Sequence, residues 1–260
     1  MKRGGILICV LLAAVACRSA APKAPVATPT PPAVAQAPAV AAAAVPAAAS
    51  APFLAPEAIR WVRGSAEHRA LFVQVFRAAT AHVETAAAMR TGGTWAVVLD
   101  ADETVIDNSL YQLERAAAGL PFDRASWSAW TARREAVPLP GATAFLTRVR
   151  ALGGRIAIVT NRRESECPDT EAVFSAHGLA YDVMLCRPES SGDKNPRFEA
   201  IARGTTAAGL PPLEIVAFVG DNILDFPQQS QALRQAGDEA FNEFGARFFV
   251  VPNPMYGSWN

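Results

Sequence analysis

Residues 94–104 have the sequence TWAVVLDADET, an apolar run that ends in two aspartates and a threonine. The apolar part, residues 95–99, is short and β-branched, which is typical of a strand buried on both faces of a parallel sheet. Asp100, Asp102 and Thr104 follow it directly. Because open α/β sheets bind ligands outside the carboxyl ends of their strands, this stretch predicts a polar crevice. Similar residues also occur in turns that only cap a helix, so this stretch alone leaves both interpretations open.

The composition is balanced in charge. The chain has 260 residues, 51% of them hydrophobic, and 24 basic residues stand against 24 acidic ones. This length can bury a sizeable core, in one domain with appendages or in two small domains. Proteins that bind nucleic acid polymers usually present a basic face, so we expect no such partner. Any phosphate-binding site would have to be local.

The first 56 residues do not have the pattern of a folded domain. Lys2 and Arg3 precede an apolar segment, residues 6–15, that is too short to cross a bilayer as a stable helix. This arrangement predicts an export signal over residues 1–17. Residues 18–56 are almost wholly Ala, Pro, Val and Thr without periodicity, and their prolines prevent a continuous helix. We predict an extended, disordered tether here.

The end of the export signal resembles a bacterial lipobox. It has the sequence Ala14-Val-Ala-Cys17, with Ala14 where such boxes usually carry Leu. The resemblance implies that Cys17 becomes the lipidated first residue, with simple secretion as the alternative. Arg18, rather than Asp, follows the cysteine and favours the outer membrane, on its periplasmic side or at the cell surface. Acyl chains would then anchor the protein to the membrane.

The folded domain is predicted to span residues 57–260. Apolar residues recur at helical spacing between Ile59 and Val83, until Gly92 and Gly93 end the pattern. His68 and His82 lie within this pattern, where a histidine is more often a packing or surface residue than a ligand. We assign them no chemistry.

A helical insertion follows the first strand. Residues 109–118 and 123–135 have helical patterns, the second with Asp123 as its N-cap, and a Pro-rich segment ends the insertion. We predict a cap of approximately residues 107–139 above the carboxylates. Its aromatic residues either lie close to the crevice or form the cap's own core, and these are Phe122, Trp127 and Trp130.

Strands and helices then alternate to the end of the chain. The predicted strands are residues 155–159, 182–185, 214–219 and 247–251. A predicted helix precedes the first of them, at residues 142–152, and another follows it, at residues 170–176. A loop is expected to hold Lys194 and Arg197. This order predicts an α/β fold, a doubly wound parallel sheet with a small helical cap.

Several polar residues follow the strands and should converge on one crevice. They are Asp100, Asp102, Thr160, Lys194, Asp221 and Asp225. Unit charges about 4 Å apart interact by roughly 4 kcal/mol at an effective dielectric of about 20, so clustered aspartates repel unless a cation is bound. Ligands that are all oxygen favour Mg²⁺ over zinc, which prefers His or Cys.

Together these motifs resemble the haloacid dehalogenase superfamily of phosphatases, and within it the lipoprotein e family of 5'-nucleotidases and class C acid phosphatases. The resemblance covers roughly residues 61–259 and includes DADET at 100–104, IVTNR at 158–162, KNPR at 194–197, VGDNILDF at 219–226 and PMYGSW at 254–259. Ala101 stands where the family commonly has Leu, at a non-catalytic position.

The resemblance implies catalytic roles. Asp100 would be the nucleophile that forms an aspartyl phosphate, and Asp102 the general acid and base. Thr160 and the backbone after it would hold the phosphoryl oxygens, with Asn161 as a substrate-binding residue. Lys194 would neutralise charge on Asp100 and on the phosphate.

The resemblance also implies metal and substrate contacts. Asp221 would ligate Mg²⁺ together with Asp100 and the main-chain carbonyl of Asp102. Asp225 would ligate it too, or would only hold its waters and Lys194. Trp127 and Tyr256 stand where the resembling nucleotidases place stacking aromatics, so they would sandwich a base. Glu103 and Arg197 receive no role beyond support of these residues.

We therefore predict a membrane-anchored, Mg²⁺-dependent acid phosphatase that acts on small phosphomonoesters, foremost nucleoside 5'-monophosphates. Two alternatives stay open, which are a phosphatase for other monoesters such as sugar phosphates and a non-catalytic surface lipoprotein on the same fold. Cys167 and Cys186 could form a disulfide in an exported protein, but their spacing does not decide this. The oligomeric state also stays open, a homodimer included.

Overall fold

The computed structural model describes residues 53–260. The predicted signal peptide, the lipidated Cys17 and the tether up to residue 52 lie outside the described residues. The helices are α1 (Glu57–Gly64), α2 (Ala66–Ala87), α3 (Ser109–Ala117), α4 (Arg124–Arg133), α5 (Ala142–Ala151), α6 (Cys167–Ala176) and α7 (Asn195–Arg203). The strands are β1 (Trp95–Leu99), β2 (Ile106–Asp107), β3 (Val137–Pro138), β4 (Arg155–Arg163), β5 (Val183–Arg187), β6 (Glu214–Gly220) and β7 (Phe248–Val250). Short 3-10 helices are Glu164–Glu166, Ile223–Asp225, Gln231–Gln235 and Asp238–Phe241.

A five-stranded parallel sheet forms the centre of the domain, in the order β5-β4-β1-β6-β7. Strand β1 lies in the middle, and all five of its side chains are buried, as its continuous apolar sequence predicts. Because successive side chains of a strand point to opposite faces, Trp95, Val97 and Leu99 enter one hydrophobic core while Ala96 and Val98 enter the other. The predicted α/β fold with a parallel sheet is confirmed.

Helices cover both faces of this sheet. Side chains of α2 and α5, such as Phe72 and Phe145, pack in the core that contains Trp95. Phe198 and Ile201 of α7 pack in the second core. No helix in the described part of the chain combines the length and the apolar character that crossing a membrane requires.

The two histidines of α2 have structural contacts. His68 is buried between Trp61 and Phe72, with ring centroids 5.3 and 4.7 Å away, and its backbone N–H donates to the side chain of Ser65, the N-cap of α2. The His82 ring nitrogen Nε2 lies 2.9 Å from the carbonyl oxygen of Val216. Both histidines thus contact residues of the helices and the sheet, and the assignment of no chemistry to them stays a prediction.

The insertion after β1 contains α3 and α4, and the Asp123 side chain caps α4 by accepting a hydrogen bond from the Ser126 N–H at 2.8 Å. The sequence predicted only helices here, whereas the structure adds β2 and β3, which pair antiparallel at the base of the insertion. Two-residue strands are too short to show an alternating pattern. Their pairing closes the insertion at residues 106 and 138, close to the predicted limits.

Three predicted boundaries were wrong. The segment predicted as a loop around Lys194 and Arg197 contains α7, with Lys194 as its N-cap and Arg197 within the helix. Strand β4 extends to Arg163, four residues beyond the predicted end. Helix α6 begins at Cys167 rather than Thr170, because Pro168 occupies its first turn, where a missing N–H costs nothing.

Cys167 and Cys186 form a disulfide, with their Cα atoms 6.1 Å apart. The bond links the start of α6 to β5, the strand at one edge of the sheet. The pairing that the sequence left undecided is therefore present in the structure, beside the carboxyl ends of β4 and β5.

Candidate active site

Three carboxylates meet beyond the carboxyl ends of the neighbouring strands β1 and β6. Asp100 directly follows β1, Asp221 directly follows β6, and Asp225 ends the 3-10 helix after β6. One oxygen from each lies within 4.8 Å of the others. A Cβ atom at Gly220 would lie 2.3 Å from the Cβ of Asp225, so only glycine there permits this approach. The sequence prediction that these aspartates converge is thus met by the geometry.

Lys194 provides a buried positive charge within this cluster. Its Nζ donates to Asp100 Oδ1 at 2.5 Å and to Asp225 Oδ1 at 2.7 Å, and the residue is only 3% exposed. Burial alone would lower the pKa of Lys194, but the charges of Asp100 and Asp225 outweigh it and raise that pKa. Lys194 therefore stays protonated and bridges two of the three carboxylates.

One lysine does not balance three carboxylates. Burial raises the pKa of Asp100 to about 7, since the charge of Lys194 only partly opposes burial and Asp225 and Asp102 add repulsion. Burial and the charges of Asp225 and Asp100 raise the pKa of Asp221 well above its usual range. A cluster that favours protons in this way also favours another cation. Its donors are all oxygen, which fits a hard divalent ion.

Hydrogen bonds from neighbouring residues hold the carboxylates of Asp221 and Asp225 in place. Asp221 accepts hydrogen bonds from Thr104 Oγ1 at 3.1 Å and from Asn253 Nδ2 at 2.8 Å. Asp225 Oδ2 accepts from the Asn222 N–H at 2.9 Å. The contact between Asp225 and Lys194 that one of the two predicted alternatives requires is thus present, and metal ligation by Asp225 stays a prediction.

Asp102 lies beside this cluster, and its carboxylate contacts Arg162 and Asn108. Oδ1 accepts from Arg162 Nε at 2.9 Å and from Asn108 Nδ2 at 2.8 Å, and it forms an ion pair with Arg162 NH2 at 2.7 Å. The carboxylate does not belong to the compact group of three. The assignment of the Asp102 main-chain carbonyl as a metal ligand stays a prediction.

Thr160 and Asn161 take different places at the end of β4. Thr160 is fully buried, its hydroxyl accepts from the Arg162 N–H at 3.1 Å, and its carbonyl accepts from Arg197 NH1 at 2.5 Å. Asn161 lines the site cavity, and its side-chain oxygen accepts from Arg197 NH2 at 2.7 Å. Arg197, which had no specific predicted task, therefore fixes both residues.

These residues open into one cavity of about 430 Å³, within the range of small-molecule sites. Its lining comprises Asp100, Asp102, Gln112, Phe122, Arg124, Trp127, Asn161, Arg162, Lys194, Asp221, Asn222, Leu224, Asp225, Tyr256, Gly257 and Asn260. Acidic and basic groups lie at the strand ends, while the cap and the last residues of the chain supply aromatic rings.

The cap aromatics divide between the two predicted roles. Trp127 lines the cavity, 7% exposed, with the Tyr111 ring edge-on at 5.1 Å and the Phe122 ring at 6.3 Å. Trp130 does not line the cavity and takes the second of the two roles that the sequence left open. It is a core residue of the cap, and its Nε1–H donates to Asn108 Oδ1 at 2.8 Å.

Tyr256 lines the same cavity and makes a contact that the sequence did not indicate. Its hydroxyl donates to Glu103 Oε2, and Glu103 also accepts from the Asn108 N–H at 2.8 Å. Burial, together with the charges of Asp102 and Asp221, raises the pKa of Glu103 well above its usual range. Glu103 has a positive φ of 52°. It ties the end of the chain to the loop that carries Asp100 and Asp102.

Sequence reasoning missed Arg162 and Asn108 as residues that contact Asp102. Alternation along a strand places residues 160 and 162 on one face, so the choice of Thr160 could have indicated Arg162 as well. Asn108 gives no comparable indication, because it reaches Asp102 only through the fold of the insertion.

Comparisons with known proteins agree with this geometry. The model of the HAD (haloacid dehalogenase) superfamily, subfamily IIIB (acid phosphatase), matches residues 32–259. Two structures of the class C acid phosphatase from Bacillus anthracis are similar. The one with tungstate bound has 29% sequence identity and a TM-score of 0.70, and the other has 30% and 0.69. Each comparison covers 78% of this chain and 84% of the other. The chain therefore belongs to the HAD superfamily, subfamily IIIB, the acid phosphatases, and is a phosphomonoester hydrolase.

Proposed function

We propose that the protein is a Mg²⁺-dependent 5'-nucleotidase that works through an aspartyl phosphate. One observation supports this most directly, which is that Asp100 contacts Lys194 and lies within 4.8 Å of Asp221 and Asp225 at the bottom of an aromatic-walled cavity. The nucleophile, its neutralising lysine, an oxygen-only cation site and space for an organic group are thus combined in one place.

In the first half-reaction, a carboxylate oxygen of Asp100 attacks phosphorus while the bond to the leaving oxygen breaks. Asp102 gives a proton to that oxygen, so that an alcohol departs rather than an alkoxide. Lys194 lies against the attacking carboxylate and offsets charge on the transferred group. The products are the free alcohol and a phosphorylated Asp100.

In the second half-reaction, water attacks the same phosphorus and the bond to Asp100 breaks. Asp102, now a carboxylate, accepts the proton of that water and returns to its starting state. Inorganic phosphate leaves and Asp100 is regenerated.

The residues that would hold Mg²⁺ are Asp100 and Asp221, with Asp225 and the main-chain carbonyl of Asp102 as further candidates. When bound, the ion would supply positive charge to the carboxylates and to the phosphoryl oxygens. Three carboxylates with a single lysine among them fit such an ion, and burial together with the neighbouring charges raises the pKa of Asp100 and of Asp221.

The cavity walls favour a nucleoside as the leaving group. The rings of Trp127 and Tyr256 both line the cavity, and Phe122 lies at its edge. Stacking contributes about 1 to 3 kcal/mol per base and accepts any ring, so we expect broad use of nucleoside monophosphates. The related Bacillus anthracis enzyme binds tungstate, a tetrahedral oxyanion like phosphate.

A phosphate-release panel tests this proposal. Nucleoside 5'-monophosphates and sugar phosphates are compared with and without Mg²⁺, using wild type, Asp100→Asn, and Asp238→Asn as a control on an exposed aspartate outside the cavity. We expect nucleotides to be preferred, EDTA to abolish turnover, Mg²⁺ to restore it, and only Asp100→Asn to be inactive. Substantial turnover by pure Asp100→Asn would refute the nucleophile, and indifference to EDTA would refute the metal.

A further inference from the structure

Arg162 is a fully buried cation that the reaction described above does not use. Its side chain is 1% exposed, which is unusual for a charged group and costly unless every donor is bonded. The residue comes from β4, and its guanidinium lies between the Asp102 loop, the cap and α6.

The guanidinium contacts the two carboxylate oxygens of Asp102 unequally. Nε lies 2.9 Å from Oδ1 and 3.2 Å from Oδ2, and NH2 lies 2.7 Å from Oδ1. Asn108 Nδ2 adds a further donor to Oδ1 at 2.8 Å. Oδ1 thus accepts two hydrogen bonds and also forms the ion pair with NH2, whereas Oδ2 accepts one longer hydrogen bond. Oδ2 is the oxygen that remains available for a proton, and Asp102 lines the cavity.

Arg162 is itself held on two further sides. NH1 donates to Thr170 Oγ1 of α6 at 3.1 Å, and NH2 donates to Asn108 Oδ1 at 2.9 Å. Asn108 Oδ1 also accepts from Trp130 in the cap. A planar guanidinium whose three nitrogens are all hydrogen-bonded has little rotational freedom. The direction of the Asp102 carboxyl is therefore set by residues on three different elements.

We propose that Arg162 is a positioning residue that fixes Asp102 with Oδ2 directed at the leaving oxygen during proton transfer. The inference rests on the proposed role of Asp102 as general acid. Misplacing a reacting group by about 1 Å can cost on the order of 10²-fold in rate. Removal of the Arg162 guanidinium should therefore slow proton transfer from Asp102 while the Asp102 carboxyl itself remains.

The consequence depends on the leaving group. A weakly basic phenolate departs with little help from an acid, whereas a strongly basic one needs the proton in the transition state. If Arg162 positions Asp102, its loss will harm substrates with basic leaving groups selectively. A merely structural role, or the loss of the contact between Arg162 and the Trp127 ring at 5.5 Å, would lower the rates of all aryl phosphates alike.

The test is a series of aryl phosphates, from p-nitrophenyl to phenyl to p-methoxyphenyl phosphate, with kcat/KM plotted against the pKa of the phenol. The variants are Arg162→Met, Arg162→Lys, Asp102→Asn and the double variant Arg162→Met with Asp102→Asn. Arg124→Met is the matched control, because Arg124 lines the same cavity without bonding Asp102. Slopes compare substrates on one preparation, so the fraction of folded enzyme cancels.

We expect Asp102→Asn to steepen the slope, with phenyl phosphate losing roughly 10²-fold or more relative to p-nitrophenyl phosphate. Arg162→Met should lose roughly tenfold or more in the same ratio, Arg162→Lys less, and the double variant no more than Asp102→Asn alone. Arg124→Met should keep the wild-type slope.

Two results overturn the inference and differ from each other. If Asp102→Asn steepens the slope but Arg162→Met and Arg162→Lys keep the wild-type value, Arg162 does not position the acid, while the proposed mechanism stands. If Asp102→Asn itself keeps the wild-type slope, Asp102 is not the acid and the mechanism fails as well. Should Arg162→Met yield no soluble protein, the slope of Arg162→Lys decides.

Discussion

Asp100 has to be a carboxylate to attack phosphorus, yet its surroundings favour the protonated acid. Its pKa of about 7 lies far above the ordinary value of 3.8, chiefly because it is buried. At a pH between 3.8 and about 7, Asp100 is protonated in the folded protein and ionised in the unfolded protein. This group's contribution to stability is therefore complete at low pH and is lost as the pH rises through about 7.

The loss of this stability contribution at rising pH predicts how the Tm of the metal-free protein depends on pH. In EDTA, raising the pH from about 5 to about 8 should lower the Tm of wild type more than that of Asp100→Asn, which has no charge to acquire. Mg²⁺ should raise the Tm of wild type most at the upper pH, where it displaces no proton. Thermal scans with EDTA or Mg²⁺ measure both effects. A wild-type Tm that falls no more than that of the variant would contradict the assignment of the raised pKa.

Residues that follow a strand in sequence were accessible to prediction, because strand ends collect at one edge of a parallel sheet. Asp100, Asp221 and Asp225 were placed in this way, and the geometry brings them together. Contacts that depend on side-chain direction were not accessible. Alternation along β4 places Arg162 on the face of Thr160 but does not indicate its contact with the Asp102 carboxylate, and nothing in the sequence indicates that Tyr256 bonds Glu103.

At the scale of elements, the cap supplies the aromatic wall, and Trp127 of α4 is its central member. Trp127→Ala should raise KM for a nucleoside 5'-monophosphate roughly tenfold or more, because a stacked base loses about 1 to 3 kcal/mol. Ethyl phosphate, which has no ring, should keep its KM. Steady-state kinetics on both substrates measures the difference.

Trp127→Phe is the control for this prediction, since it retains a ring over the cavity while reducing its size. It should recover most of the affinity for the nucleotide. An equal loss for ethyl phosphate and the nucleotide in Trp127→Ala would mean that the variant disturbs the cap as a whole, and the nucleotidase proposal would lose its support.

Elements were predictable where their apolar pattern was long enough. The buried strand β1 and the single apolar face of α2 follow from their sequences alone. Helix α7 was missed because it is nine residues long and begins with Asn-Pro-Arg, which has the character of a turn. The proline is in fact favourable there, since the first turn of a helix needs no N–H from it.

At the scale of the whole molecule, we propose that Cys17 carries the acyl chains that hold the protein at the outer membrane. The family model begins at residue 32, after the proposed signal, and so leaves this open. Cys17→Ser should abolish acylation and move the protein from the detergent phase to the aqueous phase on Triton X-114 partitioning. Cys9→Ser, within the signal itself, is the control and should partition like wild type. Equal detergent partitioning of Cys17→Ser and wild type would mean that another feature retains the protein.

The Cys167–Cys186 bridge makes the choice of expression host a structural variable. It closes a loop over a sequence separation of 19 residues that contains all of α6, including Thr170, which contacts Arg162. Closing a loop of about this size contributes about 3 kcal/mol, a large part of the net stability of an ordinary domain. Protein produced in a reducing cytosol lacks that link. Such material would underestimate both the heat resistance of the enzyme and its specific activity, whereas secretion into an oxidising compartment, or refolding with a thiol–disulfide couple, would yield the complete molecule.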